Sequence, residues 1–480
     1  MRVLHVGHGF RPFHHGGLIS YAEDLMQAQA ARGDEVHYFF SGRHYPLLRT
    51  RMRSWERGQV RMHELLNSPV LAGTGDRGTR RPDLELREPT VERLFRAVLD
   101  EVRPDLVHVQ ELNGLPSSLL EIPAERGVPV AMTLHDYHAL CPTVKLFDLH
   151  GQRCRRREPA PVCVGCCRDA PGDARELVTL TGRHHKREAS TLVPLVQYVP
   201  GPGAVRRWVR GSAEPARRAA PPGDVAGFQA RRDVNVARLN GVDRLLPVSA
   251  AVGDLYAELG VERGRLRTLG LTVSHLESLR PRRMDAVGRP VRFVTLNGCA
   301  SPAKGADVVA GALDELAAGG LTPQDLTLSV AGHVDPTVAD RLAASPLVHL
   351  LGDYPPAALD EMLDGFDVGI VPSIWDETFG FVAVELLAKG LPLIGNAAGA
   401  VADHARDGET GWLNRDCSAL GLAGIMAAVV AEPQQVVALN RRIIELRPGL
   451  VASMDTHTEQ VREVYAELLG QSSSTARSAG

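Results

Sequence analysis

Short apolar runs alternate with stretches of helical period along this chain, and the alternation runs through twice. In the first half, Arg2–Val6 is an apolar run ending in glycine. Leu18 to Arg32 then follows helical spacing, with Leu18, Ala22, Leu25 and Ala28 near one face and Gly33 as its stop. Val36–Phe40 is the next strand, followed by a helix over Val91–Val102 and strands at Leu106–Val109 and Val128–Leu134. After a weakly patterned stretch, VDRLLPVS (Val242–Ser249) makes a strand and leads into a helix to about Gly260. The second half restarts with strands at Val291–Leu296, Leu326–Val330, Leu347–Leu351, Val368–Val371 and Leu391–Gly395. Helices separate them at Ala306–Ala318, Pro336–Ala344, Ala357–Leu363 and Phe381–Lys389. Strands that alternate with helices pair in parallel through crossover helices, which predicts doubly wound sheets.

A chain of 480 residues exceeds one compact core, at roughly 150 residues per domain. The expected architecture is α/β, with a Rossmann-like N-terminal domain over 1–273 and a Rossmann-like C-terminal domain over 291–455. The polar, aperiodic SHLESLRPRRMDAVGRP (274–290) is the expected linker. Two such domains leave a cleft between the carboxyl ends of their sheets, where open α/β sheets bind ligands. A helix over 456–470 is expected to pack back on the N-terminal domain, and 471–480, QSSSTARSAG, to be a disordered tail. Ser68–Thr90, rich in Gly, Arg and Pro, reads as a surface loop. Residues 141–232 read as a Cys-rich insertion with partly helical and mobile parts, including the run GSAEPARRAAPPGD.

Charge excludes some partners. With 54 basic and 57 acidic side chains the net charge is −3, which gives no global reason to bind nucleic acid or an anionic membrane. MRVLHVGHGF lacks the apolar run of a signal peptide, and no stretch approaches the ~18 apolar residues of a membrane span. A cytoplasmic protein is the expectation, and nothing in the sequence decides whether it forms a homo-oligomer. The Ala, Arg and Gly content points to a GC-rich bacterial source. Five of seven cysteines fall in one window, Cys141, Cys154, Cys163, Cys166 and Cys167, while Cys299 and Cys417 stand alone. The CxxC end is the usual knuckle of a structural zinc site, so Cys141, Cys154, Cys163 and Cys166 are candidate ligands with Cys167 spare. Unconnected reduced thiols and an iron–sulfur cluster are the alternatives.

The strongest chemical signal is PSIWDETFGFVAVELLAKGLP, Pro372–Pro392. Glu377 and Glu385 are separated by seven residues, with Phe379–Gly380 marking a loop that turns into a helix. That spacing sets the carboxylates about 12 Å apart along the axis, comparable to the span from sugar to ribose in a nucleotide-sugar. Free amides at the helix start would meet the diphosphate between them. Two solvated glutamates flanking an ordinary helix are the plain alternative. NGCASPAKGADVV (Asn297–Val309) follows a strand, opens a helix and holds Lys304 at the turn, where a cation suits a leaving diphosphate. Gly16–Gly17 lies between the first strand and helix and lets backbone approach phosphate closely. It is not a GxGxxG fingerprint, so a nicotinamide cofactor gets little support.

In order and spacing, the Gly-Gly loop, LHDYH (Leu134–His138), VDRLLPVS, the PAKG turn, VAGH, LLGDYP and the paired glutamates ending AKGLP resemble the retaining GT-B glycosyltransferases of family 4. The resemblance spans nearly the whole chain. It implies that Glu377 holds donor-sugar hydroxyls, with Phe379 and Gly380 nearby, and that Glu385 binds the ribose. Lys304, helped by Gly16 and Gly17, would neutralise the diphosphate, while Gly332 and Gly352 would flank the nucleotide. His135 would face the transferred sugar; a base or a histidine bonded to Asp136 are its other readings. One departure stands out: Cys299 follows Gly298 where the family has arginine, and Arg11 is the candidate replacement.

The implied reaction moves a sugar from a UDP- or GDP-sugar to a small-molecule or saccharide acceptor, as in natural-product or polysaccharide biosynthesis. It retains configuration through a front-face path and needs no catalytic metal, since no DxD-like motif follows a strand. A glycoside phosphorylase or epimerase on the same scaffold, and a non-catalytic nucleotide-sugar-binding protein, are the competing readings.

Overall fold

The computed structural model describes residues 1–14, 16–45, 49–71, 77–170 and 223–478, with 471–478 described by backbone only. Most of the expected insertion, residues 171–222, lies outside them, as do 479–480 of the expected tail.

Seven strands form the first sheet: β1 (Arg2–His8), β2 (Glu35–Ser41), β3 (Arg51–Arg57), β4 (Val60–Leu66), β5 (Leu106–Val109), β6 (Val130–Leu134) and β7 (Arg244–Pro247). Their order is β3-β4-β2-β1-β5-β6-β7. All neighbours pair in parallel except β3, which is antiparallel to β4. The central strands are apolar because helices cover both faces: Val3, Leu4, Val6, Leu106, Val107 and Val109 are fully buried. The β3–β4 hairpin has no counterpart in the sequence reading. RMRSWER in β3 is an edge with alternating exposure, and its charged side chains mask any apolar signal.

Six parallel strands form the second sheet: β8 (Val291–Leu296), β9 (Leu326–Ala331), β10 (Val348–Gly352), β11 (Val368–Val371), β12 (Leu393–Asn396) and β13 (Gly411–Asn414). The order is β10-β9-β8-β11-β12-β13. The chain leaves β8 toward one edge and returns at β11 to fill the other. The sheet therefore reverses direction between β8 and β11, and the loops after these two strands emerge side by side.

Ser274–Pro290 is not a free polar tether. It opens with the short helix Ser274–Ser278 and is then tied to the second sheet's unit. Arg280 pairs with Asp360, Arg282 with Asp367, and the Met284 amide with Asn440. The closing helix, Met454–Ser478, crosses back to the first unit, where Arg462 meets Asp34 and Gln29 donates to the Tyr465 hydroxyl. Gln471–Ser478 continues this helix, contrary to the expected disordered tail. Once a helix is nucleated, each added residue gains a hydrogen bond even in a serine-rich stretch. Among the described residues, no single helix is long and apolar enough to cross a membrane.

Candidate active site

The two loops at the reversal of the second sheet are pressed together by a glycine. Gly305 has φ +93°, and a Cβ there would sit 2.0 Å from the Pro372 carbonyl oxygen, so only glycine lets the β8 loop lie against the β11 loop. The Ile374 amide donates to the Ala303 carbonyl at 3.0 Å, which fixes the register of the contact. Lys304 thereby reaches Glu377 across the seam, Nζ to Oε1 at 2.5 Å. The same oxygen accepts from Ser373 Oγ at 2.7 Å and Trp375 Nε1 at 3.0 Å, and the Lys304 ammonium lies 5.3 Å from the Trp375 ring centroid. Burial by itself would raise the Glu377 pKa. The Lys304 charge and the three hydrogen bonds outweigh burial and hold it below the usual carboxylate range. Glu377 is thus an ionised acceptor facing a cation.

From there the loop runs through Phe379, whose carbonyl accepts from His404, to Gly380, which is left-handed and starts the helix Phe381–Ala388. No side chain caps that helix. Glu385, on its second turn, bonds His275 Nε2 at 2.8 Å and not the Lys304 cluster. Burial, with a smaller push from the Glu385 charge, raises the phenol pKa of Tyr354, two residues past Gly352. Gly332 donates its amide to the Gly352 carbonyl, and a Cβ on Gly332 would meet Asn297 at 2.1 Å. Of the residues expected at the donor, Glu377 is joined to Lys304, Glu385 to His275, and Gly332 to Gly352.

Gly16 and Gly17 open the helix Gly17–Ala31 of the first unit, and Gly17 comes against the helix Phe381–Ala388. A Cβ on Gly17 would lie 2.5 Å from Cδ2 of Phe381, whereas one on Gly16 meets nothing within 4 Å. Gly17→Val is accordingly expected to hold the two units apart and lower turnover by about tenfold or more, because small misplacements of reacting groups are costly. Steady-state rates beside an unchanged melting temperature would check it.

His135 follows β6 and is buried. Its Nε2 bonds Gln110 Oε1 at 3.0 Å, not Asp136, and its ring meets Tyr21 edge-on at 5.0 Å. Burial, with a smaller push from His457, lowers its pKa to about 3, so it is a neutral imidazole. Asp136 turns to the His138 amide.

Cys299 stands where the family has arginine, and Arg11 is the candidate replacement. Cys299 is fully buried in the core, its thiol pushed up to about 12 by burial. Arg11 is engaged by Glu23 at 2.7 Å and Asp24 at 3.2 Å. The arginines that touch the carboxylate loop come from the Cys-rich segment, Arg153 and Arg155. Sequence reasoning missed them, although the run QRCRRRE was a visible signal.

The structure lends no support to the zinc expectation at Cys141, Cys154, Cys163 and Cys166. Among the described residues no group of three or more His, Cys, Asp or Glu side chains is placed to hold a metal ion. The CxxC is taken into the helix Ala160–Cys166 and does not form a knuckle. Cys141 bonds Thr143, Cys154 accepts from Arg156, and Cys163 and Cys167 pack with Ala160, Ala170 and Phe228. Burial pushes those last two thiols up to about 12, which keeps them protonated.

Residues 16–162 match the family model described as a glycosyl transferase 4-like domain, and residues 291–431 match that of glycosyl transferases group 1. The chain belongs to the GT-B glycosyltransferases of the family 4 type. A D-inositol 3-phosphate glycosyltransferase of Catenulispora acidiphila is 29% identical over 275 residues, 54% of this chain. The match spans 63% of that relative's own length. Sucrose-phosphate synthase from Thermosynechococcus elongatus superposes with a TM-score of 0.60 at 17% identity, over 98% of this chain and 100% of that one. Anabaena HepE in complex with UDP-glucose gives 0.57 at 13%, over 98% and 100%. At these identities the two structures speak for the fold.

Proposed function

We propose that this chain transfers a sugar from a UDP- or GDP-sugar to an organic acceptor with retention at the anomeric carbon. The observation that carries the reading is the Lys304–Glu377 pair at the reversal of the second sheet, opposite the glycine loop of the first unit. A nucleotide-sugar needs both partners side by side, a cation for the leaving diphosphate and an acceptor for the sugar hydroxyls. Lys304 has three N–H donors and spends one on Glu377, which leaves donors for phosphate oxygens. Glu377, ionised, accepts from hydroxyls, with the main chain of Phe379 and Gly380 alongside. Glu385 would exchange His275 for the ribose hydroxyls, with Gly332 and Gly352 nearer the base. UDP-glucose bound to Anabaena HepE supports a nucleotide-sugar donor.

In the reaction the bond from the anomeric carbon to the diphosphate breaks as the acceptor oxygen bonds to that carbon on the same face. The acceptor proton passes to the departing phosphate oxygen. Lys304 and the uncapped helix start stabilise the charge that develops there. His135, held neutral, is suited to a hydrogen bond with the transferred sugar and not to charge stabilisation. A small molecule of natural-product type or a growing saccharide is the acceptor class.

Incubation with UDP- and GDP-sugars and a panel of such acceptors, followed by NMR of the products, tests the proposal. Release of nucleoside diphosphate only when acceptor is present, with the donor's anomeric configuration in the product, is expected. Turnover driven by phosphate would favour a phosphorylase, and epimerised donor an epimerase. Binding without consumption of any donor would mark a non-catalytic protein.

A further inference from the structure

The residue before Glu377 has all its polar contacts with the other half of the molecule. Asp376 is 3% exposed, yet its carboxylate is met by Arg155 at 2.9 Å and by Arg153 at 3.8 Å, and its carbonyl accepts from the Tyr137 hydroxyl at 3.0 Å. Arg153 also donates to the carbonyls of Ile374 at 3.0 Å and Ala397 at 3.2 Å. Both arginines stand on a short turn of the Cys-rich segment. Asp148 Oδ1 accepts from the His150 and Gln152 amides, and Phe147 bridges to Arg153. That turn aims the guanidinium groups at the carboxylate loop.

A buried carboxylate is costly without a charged partner. Here the partners belong to the first unit and the carboxylate to the second, so Asp376 is satisfied only while the two units are together. The same contacts hold Ile374, Asp376 and, one residue on, Glu377. We propose that Arg153, Arg155 and Asp376 are positioning residues: an ion-pair clasp through which closure of the two units sets the Glu377 loop in its working place. The clasp rests on the reading of Glu377 as a donor-binding group.

The test uses the full chain with Arg155→Gln, Arg155→Lys and Asp376→Asn. Arg155 is partly exposed, so its variants keep the experiment alive if Asp376→Asn does not fold. The expected result is a kcat for sugar transfer lowered about 10- to 100-fold in Arg155→Gln, as for a displaced reacting group, with donor KM changed far less. Arg155→Lys should recover part of the loss. Hydrogen exchange without ligand gives an independent reading, with the amides of 374–377 expected to exchange faster in Arg155→Gln. Unchanged kcat together with unchanged exchange in the folded variants would overturn the clasp. Faster exchange in a protein that consumes no nucleotide-sugar would keep the clasp and discard the transferase reading.

Discussion

Lys304→Ala is expected to lower sugar transfer by about 10²–10³-fold, the loss that follows when one preorganised group facing developing charge is removed. The ammonium does two things at once. On the proposed reading it would stabilise the departing diphosphate, and it keeps Glu377 ionised against its own burial. Without it, Ser373 and Trp375 still bond the same carboxylate oxygen, but the opposing charge is gone and burial dominates. The Glu377 pKa then rises, so the acid limb of the pH–rate profile should move to higher pH in the variant. Glu377→Gln separates the two effects. It removes both the acceptor and the titrating carboxyl but leaves a half-exposed lysine, so it should lose turnover and abolish that limb. Rates within threefold of wild type for Lys304→Ala, at any pH, would sink this account.

The pair on which that experiment turns was readable because both halves sit in local signals: a lysine at a strand-to-helix turn and a glutamate before a helix. What could not be read was that the two meet, since Gly305 brings the loops together only once β8 and β11 are neighbours. The same limit explains Asp376. Its identity is plain in IWDE, but its arginines lie more than two hundred residues away in sequence and reach it only across the interface. Of the fold, most of the parallel strands were legible because they read as short apolar runs. β3, β4 and β13 were not. β3 is a charged edge, β4, VRMHELL, is interrupted by Arg61, His63 and Glu64, and β13, GWLN, has two apolar residues. The cysteine window shows the opposite error. Spacing alone suggested a metal knuckle, while the chain puts CxxC inside a helix and packs Cys163 and Cys167 into one apolar cluster.

Acidification from pH 6.5 toward 4 is expected to remove much of the stability of this protein and to release its closing helix first. Beneath that helix lies a chain of buried polar groups from five elements. Gln110 links the rings of His5, His108 and His135; His5 bonds Gln29 at 2.7 Å, and His108 bonds Tyr465 at 2.6 Å and Thr133 at 2.8 Å. The Tyr21 hydroxyl meets His457 of the closing helix at 2.9 Å. Desolvation lowers the pKa of His5 and His457 to about 4 and of His135 to about 3, and that of His108 well below its ordinary value. A histidine freed by unfolding takes its proton near 6.5, whereas in the native state it resists until about 4. The stability these rings contribute is therefore whole above pH 6.5 and is lost as pH falls to the native value, at up to roughly 1.4 kcal/mol per pH unit for each ring. Glu111 and Asp136, buried carboxyls whose pKa burial raises, act in the opposite sense. Comparing wild type with His457→Gln cancels their contribution. Denaturant melts from pH 7.5 to 4.5 should show the variant less stable at neutral pH but with a slope shallower by about one proton. Hydrogen exchange should show 454–468 opening before the β1–β5–β6 core in the wild type. Parallel slopes in the two proteins would mean that His457 keeps a proton in both states, and the network would then have no part in the acid response.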